Sequence, residues 1–142
     1  MKRTIFFTAA FLSFLGLMES RAQNMQNNRN MEKLKLTEEW DKTFPKSDKV
    51  DHSKVTFVNR FGITLAADLY VPKIAVADKF PAIVVSGPFG AVKEQSSGLY
   101  AQTLAERGFL TIAFDPSFTG ESSGQPRSVA SPDINTEDFS AA

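Results

Sequence analysis

Residues Gly120-Glu121-Ser122-Ser123-Gly124 match the pattern Gly-x-Ser-x-Gly. In that pattern a serine raised on a strained strand-to-helix turn attacks an acyl carbon. The surroundings argue against that role here. The preceding apolar run ends near Asp115, so no strand leads directly into the motif, and Gln125-Pro126-Arg127 does not read as a helix interior. A serine nucleophile also needs a base, usually histidine, to take its proton. The one histidine, His52, lies ahead of the first clear strand. Ser122 is therefore read as a loop serine and a decoy, and His52 as a solvated or hairpin-edge residue. Asp115 could serve as a triad acid, but a strand end before Pro116 suits loop or cap bonding better. Glu94 could face a substrate mouth, and it also fits the first turn of a helix, where the dipole favours an acid.

Composition closes off other chemistry. The chain has no cysteine and a single histidine, so neither a thiolate nor a His-rich metal site can form, and no metal or cofactor is expected. Its 16 basic and 16 acidic residues give zero net charge with no basic stripe, which disfavours nucleic acid as a partner. At 42% hydrophobic residues the chain can bury a core.

The elements that would position any site begin after a targeting segment. Lys2 and Arg3 precede an apolar run from Ile5 to Met18, then Ser20-Arg21-Ala22. This is the layout of a cleavable signal peptide over residues 1–22, cut after Ala22, and it implies export to the periplasm or beyond. As a helix the run rises about 21 Å, short of the roughly 30 Å needed for a stable membrane anchor. Residues 23–50 read as a polar leader in which Met31, Leu34, Leu36 and Trp40 could form one short helix, with Trp40 packing on the domain.

The domain proper spans residues 51–142. Val55 to Val58 reads as a strand, Asn59-Arg60-Phe61-Gly62 as a turn, and the alternation from Ile63 to Val71 as a half-buried partner strand closed by Pro72. Phe80 to Val85 and Phe109 to Phe114 are continuous apolar runs, as in strands covered on both faces. Between them, Ser97 to Arg107 has helical spacing, with Ser96 or Ser97 able to cap its start and Gly108 able to end it. The expectation is an antiparallel hairpin followed by a βαβ unit of a mostly parallel sheet. A helix start at Asn135 to Asp138 reaches the last residue, Ala142, after about one and a half turns, too short to form alone. Together with two buried-type strands lacking neighbours, this reads as a truncated domain.

Three passages resemble the N-terminal part of α/β hydrolases, in the dienelactone-hydrolase-like and Xaa-Pro-peptidase-like branches. They are Leu69-Tyr70-Val71-Pro72, Ser86 to Gln95, and Ala113-Phe114-Asp115 followed by Gly120 to Gly124. The resemblance covers about half the chain, from Lys54 to Arg127. It implies that the turn at Gly87 to Gly90 supplies an oxyanion-hole amide, Phe89 first and Gly90 second. A plain strand-to-helix turn would also favour Gly-Pro-x-Gly, and both readings stand. The family often carries His where Ser86 or Gly87 stands here. Its catalytic histidine comes last in the chain, after the nucleophile and the acid, so the resemblance places the triad outside these residues. Expected is the N-terminal part of an exported serine hydrolase for a small acyl substrate carrying an ester, lactone or peptide-like bond, inactive as this chain alone. The alternatives are a non-catalytic exported remnant or partner-binding fragment, and a small exported βαβ binding domain.

Overall fold

The computed structural model describes residues 32–73 and 79–142. The signal-peptide reading of residues 1–22, and the leader up to Met31, lie outside them. The described elements are β1 (Val50–Val58), β2 (Thr64–Pro72), β3 (Ala82–Val85), α1 (Ser96–Ala105), β4 (Leu110–Phe114) and α2 (Pro132–Ala141).

β1 and β2 form the expected antiparallel hairpin, with Val50 opposite Pro72 and Val58 opposite Thr64. Asn59 organises the turn. Its side-chain oxygen accepts the N–H groups of Phe61 and Ile63, both at 3.0 Å, and Gly62 takes φ +78. An Asx residue followed by a glycine in the left-handed region is what a tight reversal requires. β1 begins at Val50 rather than at the expected Val55, and its His52 and Lys54, though polar or charged, are largely covered. Residues 32–49 lie across them and carry no helix. Trp40 packs edge-on to Phe44 and His52, at ring separations of 5.7 and 5.1 Å, and its Nε1–H donates to the Phe44 carbonyl at 2.8 Å.

The sheet order is β1-β2-β4-β3, with β2 antiparallel and β3 parallel to β4. β2 is therefore central. Thr64 to Asp68 are buried in succession, where one wet face had been expected. On one face Val50, Tyr70 and Ala113 pack under Ala101 and Ala105 of α1. On the other, Leu65, Ala67 and Phe114 form a second cluster with Val55, Phe57 and Ile112. Phe139 of α2 meets Phe114 edge-on at 5.0 Å. β3, one of the two edge strands among the described residues, is only partly covered.

Both helices start differently from the expectation. α1 follows Gln95 with no side-chain cap, because Ser97 is turned inward and buried. Gly98 lets the helix approach the preceding turn, since a Cβ there would lie 2.2 Å from the Lys93 carbonyl oxygen. Gly108 ends the connection at φ +97. α2 starts at Pro132, ahead of Asn135, consistent with the preference for proline in a first helical turn. Its stability comes from tertiary anchors rather than length. The buried Asp138 carboxylate accepts the Ser117 N–H, the Ser117 hydroxyl and the Asn59 side-chain N–H, each at 2.8 Å. Glu137 accepts the Arg60 N–H at 3.0 Å and pairs with its guanidinium at 2.9 Å.

Candidate active site

Beyond Val85 the chain reverses through Pro88 to Ala91. The Ala91 N–H donates to the Pro88 carbonyl at 3.0 Å, and Gly90 sits third in the turn at φ +83. That is type II turn geometry, which favours glycine at this position. A Cβ on Gly90 would meet nothing within 4 Å, so the glycine serves the backbone angle rather than space. Neither the Phe89 nor the Gly90 N–H has an acceptor among the described residues. The Phe89 ring is 74% exposed. The turn lines a cleft of about 30 Å³ together with Pro116, Thr119, Val129 and Asn135. That is about the volume of one water molecule. A larger hollow of about 740 Å³ lies elsewhere, between residues 33–38 and His52 to Lys54 of β1.

Behind the turn lies a buried ionic network. The Lys93 side chain is fully buried. Its Nζ donates to Asp115 and Glu121, both at 2.8 Å, and to Glu94. Its backbone N–H donates to the other Asp115 oxygen at 2.8 Å. Burial alone would lower the Lys93 pKa, but Asp115, Glu121 and Glu94 outweigh it and hold the ammonium above its ordinary range. Lys54 bridges Glu121 at 2.7 Å and Asp41 at 2.8 Å. Lys42 reaches the buried Asp68 at 3.1 Å. Asp41, Glu94 and Glu121 bring carboxylate oxygens within 4.8 Å of one another, and the Lys54 and Lys93 ammoniums already bridge them.

The residues singled out in the sequence are scattered around this frame. Ser122 is buried, its hydroxyl donating to the Asp115 carbonyl at 2.7 Å and accepting the Ala66 N–H at 2.9 Å. It ties the loop to β2. Ser122→Ala should cost about 1–2 kcal/mol of stability, read by denaturant unfolding, and leave any turnover within about threefold. His52 lies on the outer strand of the hairpin, as one of the two readings had it, and it is largely buried rather than solvated. It lies between Trp40 and Tyr70, with Nε2 2.8 Å from Asp68, and no hydroxyl nucleophile bonds to it among the described residues. Asp115 is fully buried as the acceptor for Lys93 and for the Glu121 N–H, the latter at 2.9 Å. Glu94 precedes α1 rather than joining its first turn, and pairs with Lys93. Neither Lys93 nor Lys54 was singled out from the sequence. A lone lysine beside a glycine turn carries no mark of burial, because its acceptors come from positions 115 and 121.

The network sets a pH response. Burial alone would raise the Asp41 and Glu121 carboxyls. The ammoniums of Lys42 and Lys54 at Asp41, and of Lys54 and Lys93 at Glu121, bring each down to about 2. A carboxyl depressed on folding contributes stability above its unfolded value and loses it as pH falls through the folded one. Melting temperature should therefore hold steady above about pH 5 and drop between roughly pH 4.5 and 2. The Thr37 amide, which donates to Glu121 at 2.7 Å, should lose hydrogen-exchange protection in the same window.

The sheet order, the hairpin at its edge and the glycine turn after β3 define the N-terminal part of an α/β-hydrolase fold. More narrowly, the chain belongs to the X-Pro dipeptidyl-peptidase (S15) family, whose model matches residues 62–141. It is 68% identical over 136 residues to the uncharacterized protein PA2218 of Pseudomonas aeruginosa, covering 94% of this chain and 36% of that protein. The crystal structure of PA2218 superposes with a TM-score of 0.75 and 77% identity, over 78% of this chain and 34% of that one. The uncharacterized protein YcjY of Escherichia coli is 50% identical over 93 residues, covering 63% of this chain and 30% of its own. The thiohydrolase aneE of Aspergillus aculeatus is 33% identical over 88 residues, covering 62% of this chain and 26% of its own. The chain thus spans about a third of the length of the curated relatives it matches.

Proposed function

We propose that this chain is the oxyanion-turn-bearing part of an exported serine hydrolase acting on ester, lactone or peptide-like acyl bonds. The observation that carries it is the pair of N–H groups, at Phe89 and Gly90, left without acceptors among the described residues in the turn between β3 and α1. When a nucleophile attacks an acyl carbon, negative charge develops on the former carbonyl oxygen. Donors already aimed at that position stabilise the transition state more than the ground state. The turn supplies one of these donors, the Phe89 N–H first and the Gly90 N–H as the alternative, and the exposed Phe89 ring offers an apolar wall beside it. The nucleophile, the acid and the histidine would come from other parts of the full-length gene product, since Ser122 is locked in the loop and His52 is held by Asp68. Export rests on the layout of residues 1–22.

The test is a hydrolysis panel on the full-length gene product: short-chain aryl esters, lactones, aminoacyl-proline amides and acyl thioesters. Thioesters are included because of the name of the Aspergillus relative. Turnover of at least one class, abolished by a serine-directed phosphonate, is the expected result. Absence of turnover on all four would defeat the proposal. N-terminal sequencing of the exported product should begin at Gln23, and retention of residues 1–22 on it would contradict the export half.

A further inference from the structure

The glycine turn is tied at both ends to consecutive residues at the end of β4. At one end the Ser86 hydroxyl donates to the Phe114 carbonyl at 3.3 Å. At the other, Lys93 grips the two Asp115 carboxylate oxygens, one with its backbone N–H and one with its ammonium, both at 2.8 Å. Between these ties the turn closes on its own Ala91-to-Pro88 bond at 3.0 Å, and the Val92 carbonyl accepts the Gln95 N–H at 3.1 Å. The same ammonium reaches Glu121 at 2.8 Å, and the Glu121 N–H returns to Asp115 at 2.9 Å. Lys93 therefore fastens the turn to the loop that supplies Pro116 and Thr119 to the other side of the small cleft.

Two glycines make room for this arrangement. A Cβ on Gly120 would lie 2.2 Å from an Asp115 carboxylate oxygen, and one on Gly98 would lie 2.2 Å from the Lys93 carbonyl oxygen. A buried ion pair is weak evidence for stability, because an apolar pair of similar volume often does as well. What an apolar pair would not reproduce is a two-point grip on one carboxylate from a backbone and a side-chain donor of the same residue. Oxyanion donors must be held within roughly half an ångström of their productive place.

We propose that Lys93 is a positioning residue for the oxyanion turn, with its grip on Asp115 and Glu121 holding the Phe89 and Gly90 amides where the developing charge will sit. This rests on the acyl-hydrolase reading above. Lys93 is fully buried and does not line the small cleft. It acts through the backbone three and four residues upstream, while Glu94 takes a further bond from its ammonium and Lys54 links Glu121 to Asp41.

The experiment uses the full-length gene product and the double variant Lys93→Met/Asp115→Asn, which leaves neither partner as an unpaired buried charge. Three quantities are read: kcat and KM on the best acyl ester of the panel, affinity for a boronic acid that mimics the tetrahedral intermediate, and melting temperature. Positioning predicts that kcat falls about 100-fold, KM moves less than about threefold, and boronate affinity falls in step with kcat/KM while melting stays cooperative. A folded double variant with kcat within about threefold of the parent would overturn the proposal, as would a lower kcat with unchanged boronate affinity. Should the double variant not melt cooperatively, Lys93→Arg replaces it, keeping the charge but displacing the grip. The same loss of kcat in a folded arginine variant supports the proposal, and unchanged kcat overturns it. A parent without turnover on any ester removes the acyl-hydrolase reading and this proposal together. An active parent with indifferent variants removes this proposal alone.

Discussion

Phe89→Pro in the full-length gene product should lower kcat for acyl hydrolysis by about 10² to 10³, the usual cost of one oxyanion donor. Proline has no N–H, so the substitution deletes the donor and leaves the carbonyl in place. The Phe89 N–H has no acceptor among the described residues, so its removal breaks no hydrogen bond among them. The ring is also exposed, and little packing is lost with it. Stability should therefore change far less than rate. Phe89→Ala is the matching control: it keeps the donor, removes the apolar wall, and should act mainly on KM for longer acyl chains. Steady-state kinetics on both variants, with melting curves beside them, check the pair.

Asp115→Ala should be the most damaging single change to the fold, costing about 3–5 kcal/mol in denaturant unfolding. Asp115 is fully buried and accepts four hydrogen bonds: the Lys93 N–H, the Lys93 ammonium and the Glu121 N–H on its side chain, and the Ser122 hydroxyl on its carbonyl. Alanine keeps only the last. The Lys93 ammonium then stays buried with Glu121 and Glu94 alone, and two backbone N–H groups lose their acceptor. Asp115→Asn keeps one acceptor for the Lys93 N–H and should cost roughly half as much. Equal losses in the two variants would show that the charge, and not the acceptor geometry, carries the effect.

The parts legible in the sequence were those fixed by local rules. Gly62, Gly90 and Gly108 stand where the chain needs positive φ, and the two continuous apolar runs became the parallel pair β3 and β4. The hairpin was legible for the same reason. What failed to show was decided at long range. β2 looked half-wet because its alternation is real, yet it lies between β1 and β4 with both faces covered. Met31, Leu34, Leu36 and Trp40, scattered among charges, were expected to be able to form one short helix. Met31 lies outside the described residues, and residues 32–49 carry no helix, held instead by backbone and ionic bonds such as the Thr43 N–H to the Glu94 carbonyl at 2.9 Å. α2 looked too short because its anchors, Asn59 and Ser117, are far away in the chain.

The site divides the same way. The turn at Phe89 and Gly90 could be found from its glycines and its place after an apolar strand. Glu121 was visible only as a letter inside the Gly-x-Ser-x-Gly match, whereas its carboxylate joins the leader, β1 and the glycine turn through Thr37, Lys54 and Lys93. A lysine that is fully buried contradicts its ordinary surface preference, and only its three carboxylate partners explain it.

The most direct test of the oxyanion role is a crystal structure of the full-length gene product inactivated with an alkyl phosphonate. The phosphonyl oxygen should lie within about 3 Å of the Phe89 or Gly90 backbone nitrogen. A phosphonyl oxygen held by other donors, with the Phe89-Gly90 turn left empty, would contradict the account.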